Sequence, residues 1–176
     1  MRSRVALAVV GLLALGACEK GKPRHVPVDD MALVPPMEGS AAPTEGLSKG
    51  LPELKGLPAF SLDRIGDAPD PLNHRPAVTA AGKPVLFAGF AADPAAKAPA
   101  KGVDIVVDGK AYGAAYGAAR EDVAIYFKTE TLTKVGYSVT LPAGTLAPGP
   151  HLAVARVVAA DGKGYYQSPS YPFTVR

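Results

Sequence analysis

The side chains able to do chemistry are few and scattered. There is one cysteine, Cys18, together with three histidines and 16 acidic residues. A lone thiol can carry a covalent group but cannot close an intramolecular disulfide. His25, His74 and His151 show no H-x-x-x-H spacing, so no zinc ligand set is expected. Asp63, Asp67 and Asp70 lie close together, with Asp93 further on, but they match no calcium loop of the D-x-D-x-D-G kind and read as turn formers. No G-x-S-x-G elbow or phosphate-binding loop is present. Glu121 or Glu130 beside an aspartate has the chemistry of a glycosidase pair, but any chain with 16 acids offers such pairs. The expectation is therefore a protein that is not an enzyme, with no metal and no cofactor. Arg120, with Glu121 and Asp122, reads as a ligand clamp, as an ion pair with a carboxylate at a sheet edge, or as a cluster in which Asp122 caps a helical turn. Tyrosines supply the remaining candidates. Tyr165 and Tyr166 are neighbours in a strand-like stretch and must alternate faces. Exposed tyrosines stack on sugars or bury in protein partners. The candidate binding residues are thus Tyr112, Tyr116, Arg120, Asp122, Tyr165 and Tyr166, with Tyr171 nearby.

Charge gives little direction to a partner. The net charge is +3, and removal of a leader containing Arg2 and Arg4 lowers it to +1. No run of lysines or arginines forms a phosphate-binding stripe, so nucleic acid is not an expected partner.

The N-terminus carries the most specific pattern. Arg2 and Arg4 precede the unbroken apolar stretch Val5 to Ala17, which is 13 residues long. A membrane span needs about 20 residues, so the stretch reads as the core of a secretory signal peptide. It ends in Leu15-Gly16-Ala17-Cys18. This resembles the lipobox of bacterial lipoproteins. The resemblance implies cleavage before Cys18, diacylglycerol on its sulfur and acylation of the new amino group. More than one acyl chain gives stable anchoring. Glu19 follows the cysteine, and in enteric bacteria a residue other than aspartate there usually permits transfer to the outer membrane. The resemblance therefore implies a lipid-anchored protein of the cell envelope, with the outer membrane favoured over the inner. The alternative is an ordinary signal peptide cut near Ala17, leaving Cys18 as a free thiol.

Residues 18–57 read as a flexible, lipid-anchored linker. Six prolines and five glycines punctuate the segment from Glu19 to Leu57, and its sparse apolar residues follow neither helical nor strand periodicity. Such a chain buries too little surface to offset its ordering entropy. From residue 58 to 176 the pattern is that of strands. The whole chain holds 19 glycines and 18 prolines, which disfavours long helices. Phe60 to Ile65, Val85 to Ala92 and Val103 to Val107 read as strands, and Asp108-Gly109 marks a hairpin. The stretch from Tyr112 contains a tandem YGAA-YGAA and then Arg120 to Phe127, which reads either as one short helical turn or as a strand, a short turn crossing between sheets being preferred. Val135 to Leu141 alternates, which predicts Tyr137, Val139 and Leu141 inside and Ser138 and Thr140 outside. Leu152 to Ala160 reads as a long strand, and a last strand is interrupted by Pro169 and Pro172. About seven strands with turns every 8–12 residues predict an all-β sandwich.

Two stretches carry a second resemblance. Leu146-x-Pro-Gly-x-His151, leading into the strand from Leu152, is similar to the late strands of bacterial Ig-like and fibronectin-type-III-like domains. In that family a leucine packs under the turn and a tyrosine anchors a corner; His151 stands at the tyrosine's place. Tyr116 to Val123 resembles a Tyr-Gly-x-x-Arg-x-Asp-Val element of Ig-like domains appended to bacterial envelope proteins. The resemblance implies adhesive or scaffolding roles. Taken together, the sequence predicts a non-enzymatic envelope lipoprotein presenting an Ig-like domain in the periplasm or at the surface for protein–protein interaction. The alternative is a carbohydrate or peptidoglycan binder that uses exposed tyrosines.

Overall fold

The computed structural model describes residues 42–71, 73 and 76–176. Leu15, Gly16, Ala17 and Cys18, the linker up to residue 41, His25 and His74 lie outside the described residues. The described chain is an all-β sandwich with one short helix. In order, its strands are β1 (Thr44–Glu45), β2 (Ala59–Ile65), β3 (Ala68–Pro69), β4 (Ala77–Thr79), β5 (Val85–Asp93), β6 (Ala98–Pro99) and β7 (Gly102–Val107). They continue with β8 (Lys110–Gly113), β9 (Ala115–Ala118), helix α1 (Glu121–Phe127), β10 (Gly136–Leu141), β11 (Gly149–Val158), β12 (Tyr165–Gln167) and β13 (Tyr171–Val175). The first sheet runs β1-β8-β7-β11-β13-β4, with β12 also on β11; the second runs β3-β2-β5-β10-β9, with β6 on β5. All pairings are antiparallel except β13 with β4.

Period-two alternation builds the core. On β5, Val85, Phe87 and Ala91 are buried while Leu86, Ala88 and Phe90 are half-buried on the other face. On β10, Tyr137, Val139 and Leu141 are at most 1% exposed, and β11 adds Ala153, Ala155 and Val157 from the facing sheet. Phe87 meets Phe173 edge to face at 5.7 Å across the sandwich. The glycine inside β5 has a purpose. A Cβ at Gly89 would strike the Ser61 carbonyl and lie 2.9 Å from the Tyr137 hydroxyl. That hydroxyl donates to the Ser61 carbonyl oxygen at 2.9 Å, so the large buried ring keeps its polar end satisfied.

Three expectations need correction. First, the folded domain does not begin at residue 58. Thr44 and Glu45 pair with Gly113 and Tyr112 of β8, and Glu53 bridges Tyr165. The carboxylate of Asp104, fully buried, accepts the Leu47 and Ser48 amides at 2.9 and 2.7 Å. The segment lacks apolar periodicity because it is held by backbone and by one carboxylate. Secondly, α1 does not cross between sheets: the crossing lies at Ala114, between β8 and β9, and α1 joins β9 to β10 within the second sheet. Thirdly, Ser138 is fully buried. It does face away from the Tyr137 side, between Ala88 and Ala115, but that face is not open to water. Arg120, leading into α1, packs on it two residues away, where its Cγ would be 3.2 Å from a Cβ at Gly136.

Candidate interaction surface

Helix α1 has a buried face and a bare one. Glu121 and Asp122 occupy its first turn, where negative charge suits the helix dipole. Lys128 closes it in the left-handed region at φ 53°, donating its amide back to Ala124 and Ile125. Val123 and Ala124 turn inward, Val123 joining Ala92, Leu132 and Val135 in a small satellite core. Ile125 is 77% exposed and Tyr126 80%. Phe127 is partly covered, meeting the ring of Phe90 at 6.2 Å and that of Tyr126 at 5.0 Å. A shallow open groove runs beside this ridge, lined by Ala124, Ile125, Lys128, Thr129, Thr133 and the carboxylates Glu121 and Glu130.

Arg120 fixes the helix to the second sheet. Its Nε and one Nη donate to the two oxygens of Asp122 at 2.8 and 2.7 Å, and its other Nη donates to Asp63 on β2 at 2.7 Å. Asp63 also accepts the Ser61 hydroxyl at 2.5 Å. The guanidinium lies 5.3 Å above the Phe90 ring and the residue is 8% exposed. Burial opposes its charge, but Asp122 and Asp63 outweigh burial and hold its pKa above the ordinary value. In the same way the Arg120 hydrogen bonds hold Asp122 below the usual carboxylate range despite burial. Of the three readings of this cluster, the structure shows the ion pair. All three guanidinium nitrogens are aimed at carboxylates within the chain, so the group is a clamp on α1. Asp122 serves Arg120, and no side chain caps the helix N-terminus.

The structure does not assemble the other candidate residues into a surface. Tyr112 is 7% exposed and belongs to the main core. Tyr116 is half-buried, its hydroxyl donating to the Ala91 carbonyl at 2.7 Å and accepting the Ala100 amide at 2.9 Å. Tyr165, Tyr166 and Tyr171 are buried. Tyr165 and Tyr166 do take opposite faces, but both faces are covered. The Arg156 guanidinium lies 4.7 Å over Tyr165, while Tyr166 sits beside Leu54, Asp93 and Ala160 at one end of the sandwich. The expected exposed tyrosine face is thus absent among the described residues, where Tyr126 is the one tyrosine with an open ring. The aspartates are also separated in role. Asp93 accepts the amides of Ala95, Ala96 and Ala160, whereas Asp70 bonds Asn73.

Sequence reading missed Ile125 and Tyr126. Their signal was present as three consecutive large apolar residues at the end of a short helical turn. A helix spaces its buried positions three or four apart, so three in a row cannot all face inward. No protein-family model matches this chain, and no curated protein matches it.

Proposed function

We propose that the chain is a non-enzymatic lipoprotein of the cell envelope that presents its sandwich to another envelope protein through α1. Lipid on Cys18 would hold it to the membrane, with the outer membrane favoured, and the residues after Cys18 would act as the tether. The observation that carries the contact surface is the Ile125–Tyr126 ridge, exposed on a helix clamped to β2 by Arg120. A rigid aromatic and aliphatic pair, ringed by charged and hydroxyl side chains, has the character of a binding hot spot. The strand order supports an Ig-like architecture. With β2, β5, β10 and β9 in one sheet and β7, β11 and β13 in the other, it follows the ABED and CFG order of Ig sandwiches. The sugar-binding alternative needs exposed aromatic rings, and the tyrosines on which it rested are covered.

Crosslinking and pull-down from native envelope test the reading, comparing wild type with the Ile125→Asp, Tyr126→Asp double variant. A partner protein should be recovered with wild type and lost with the variant, and neither should pellet with purified peptidoglycan. Retention of the partner by a folded variant would move the contact elsewhere. Pelleting with peptidoglycan would restore the glycan reading.

A further inference from the structure

Residues 44–54 cross the outer face of the first sheet without joining its core. No residue of this segment belongs to either hydrophobic cluster. Leu47 is 52% exposed, and Ser48 is buried with its hydroxyl unbonded. What holds the segment is recognition of its backbone. Asp104 takes two successive amides, those of Leu47 and Ser48. The edge of β8 pairs with Thr44 and Glu45. Tyr165 exchanges hydrogen bonds with Leu54 and Pro52, accepting at 2.7 Å and donating at 3.1 Å. Close approach is built into the seat. A Cβ on Gly46 would come within 2.7 Å of the Ala111 Cβ and 3.0 Å of an Asp104 oxygen. A Cβ on Gly164 would come within 2.7 Å of Leu54.

A segment fastened by backbone bonds and without a buried apolar anchor opens at lower cost than the core behind it. Its release would leave an extended slot with a free strand edge and, at Asp104, a carboxylate stripped of its two amide donors, both of which call for another backbone of the same shape. We propose that residues 44–54 are a displaceable strap, and that the slot beneath them accepts the strap of a second copy of this chain. The occupant follows from what is seated there: this chain's own segment fits, down to Gly46 against Ala111 and Asp104. Glu45 and Lys49 pair with each other within the strap, so the strap carries its own charge balance to a new seat. Exchange of one identical element between two copies preserves every contact and costs only the opening and the loss of the intramolecular arrangement. The proposal does not depend on the lipid anchor.

The test uses the full chain as its lipid-free Cys18→Ser variant, with and without Gly46→Val. The added side chain should keep the strap from seating in its own slot. A fluorescent peptide spanning residues 42–55 then reports whether the slot is open. It should bind the Gly46→Val chain at least about tenfold more tightly than the Gly46 chain, because the native strap competes. The Gly46 chain should sediment as monomer and dimer, the dimer share rising with concentration as each strap fills the other copy's slot, whereas the Gly46→Val chain should stay monomeric. A folded Gly46→Val chain that ignores the peptide would overturn the slot. Equal binding to both chains would place the peptide elsewhere and overturn it as well. Peptide binding with no dimer of the Gly46 chain at any concentration would overturn the second copy as occupant. Should Gly46→Val fail to fold, hydrogen exchange on the Gly46 chain decides. The Leu47 and Ser48 amides should exchange about 100-fold faster than those of β5 and β10, and equal protection would mean that the strap opens only when the whole domain unfolds.

Discussion

His151 faces an acceptor with each ring nitrogen. Nδ1 lies 2.6 Å from Asp108 and Nε2 lies 2.7 Å from the Ala147 carbonyl, with the ring stacked on Phe173 at 5.3 Å. Only the imidazolium donates to both. Burial opposes that charge, but the Asp108 and Ala147 bonds prevail and hold the pKa above 6.5. The folded state therefore binds the proton more tightly than the unfolded chain. This contribution is complete below the unfolded value near 6.5 and is lost as pH rises through the raised folded value. Burial alone would raise Asp108, but the Leu152 amide and His151 bring it below 3.8, so its contribution holds above that value and is lost as pH falls through the depressed one. Thermal melts of wild type should therefore decline from near neutrality towards alkaline pH, and His151→Gln should flatten the decline. Parallel curves for the two proteins would contradict this account. The position of His151 at a corner was legible from Pro148-Gly149 and the strand that follows. Its hydrogen bond back to Ala147, four residues upstream, was not, because the ring is held between that carbonyl and Asp108, which is 43 residues away in sequence.

At the scale of elements, β10 is the most exacting case. Its alternation was legible, and Tyr137, Val139 and Leu141 are core. The burial of Ser138 was not, because alternation puts it on the outer face and says nothing of what covers that face. The two faces give opposite expectations on truncation. Leu141→Ala empties part of a packed core and should cost about 2–5 kcal/mol. Ser138→Ala removes a buried hydroxyl that has no partner and should be neutral or stabilising by about 1 kcal/mol. Urea melts of the two variants test the register, since a slip of one residue would exchange the faces. A large loss for Ser138→Ala would contradict it. Helix α1 was harder to read than β10. At seven residues it is too short for periodicity to separate helix from strand, and its bare ridge shows only once the clamp is in place.

For the molecule as a whole, the two-sheet class was legible from turn spacing and alternation, whereas the domain's first residues were hidden by their composition. Thr44 to Leu54 is rich in glycine, proline and polar residues, which reads as linker until Asp104 is seen to bind its amides. Limited proteolysis with a broad-specificity enzyme should therefore give a first stable fragment that begins ahead of Thr44, read by intact mass. A fragment beginning near Leu57 would mean that the segment is not held.

The central proposal is lipid on Cys18, which would place the sandwich at a membrane and make the preceding segment a leader. On that proposal the thiolate would be the nucleophile that takes the lipid, and a serine hydroxyl would not replace it. Metabolic labelling with a fatty acid, applied to wild type and Cys18→Ser in a bacterial host, measures this directly. Label on wild type and none on Cys18→Ser is the predicted result. Equal label on both, or no label on wild type, would contradict it.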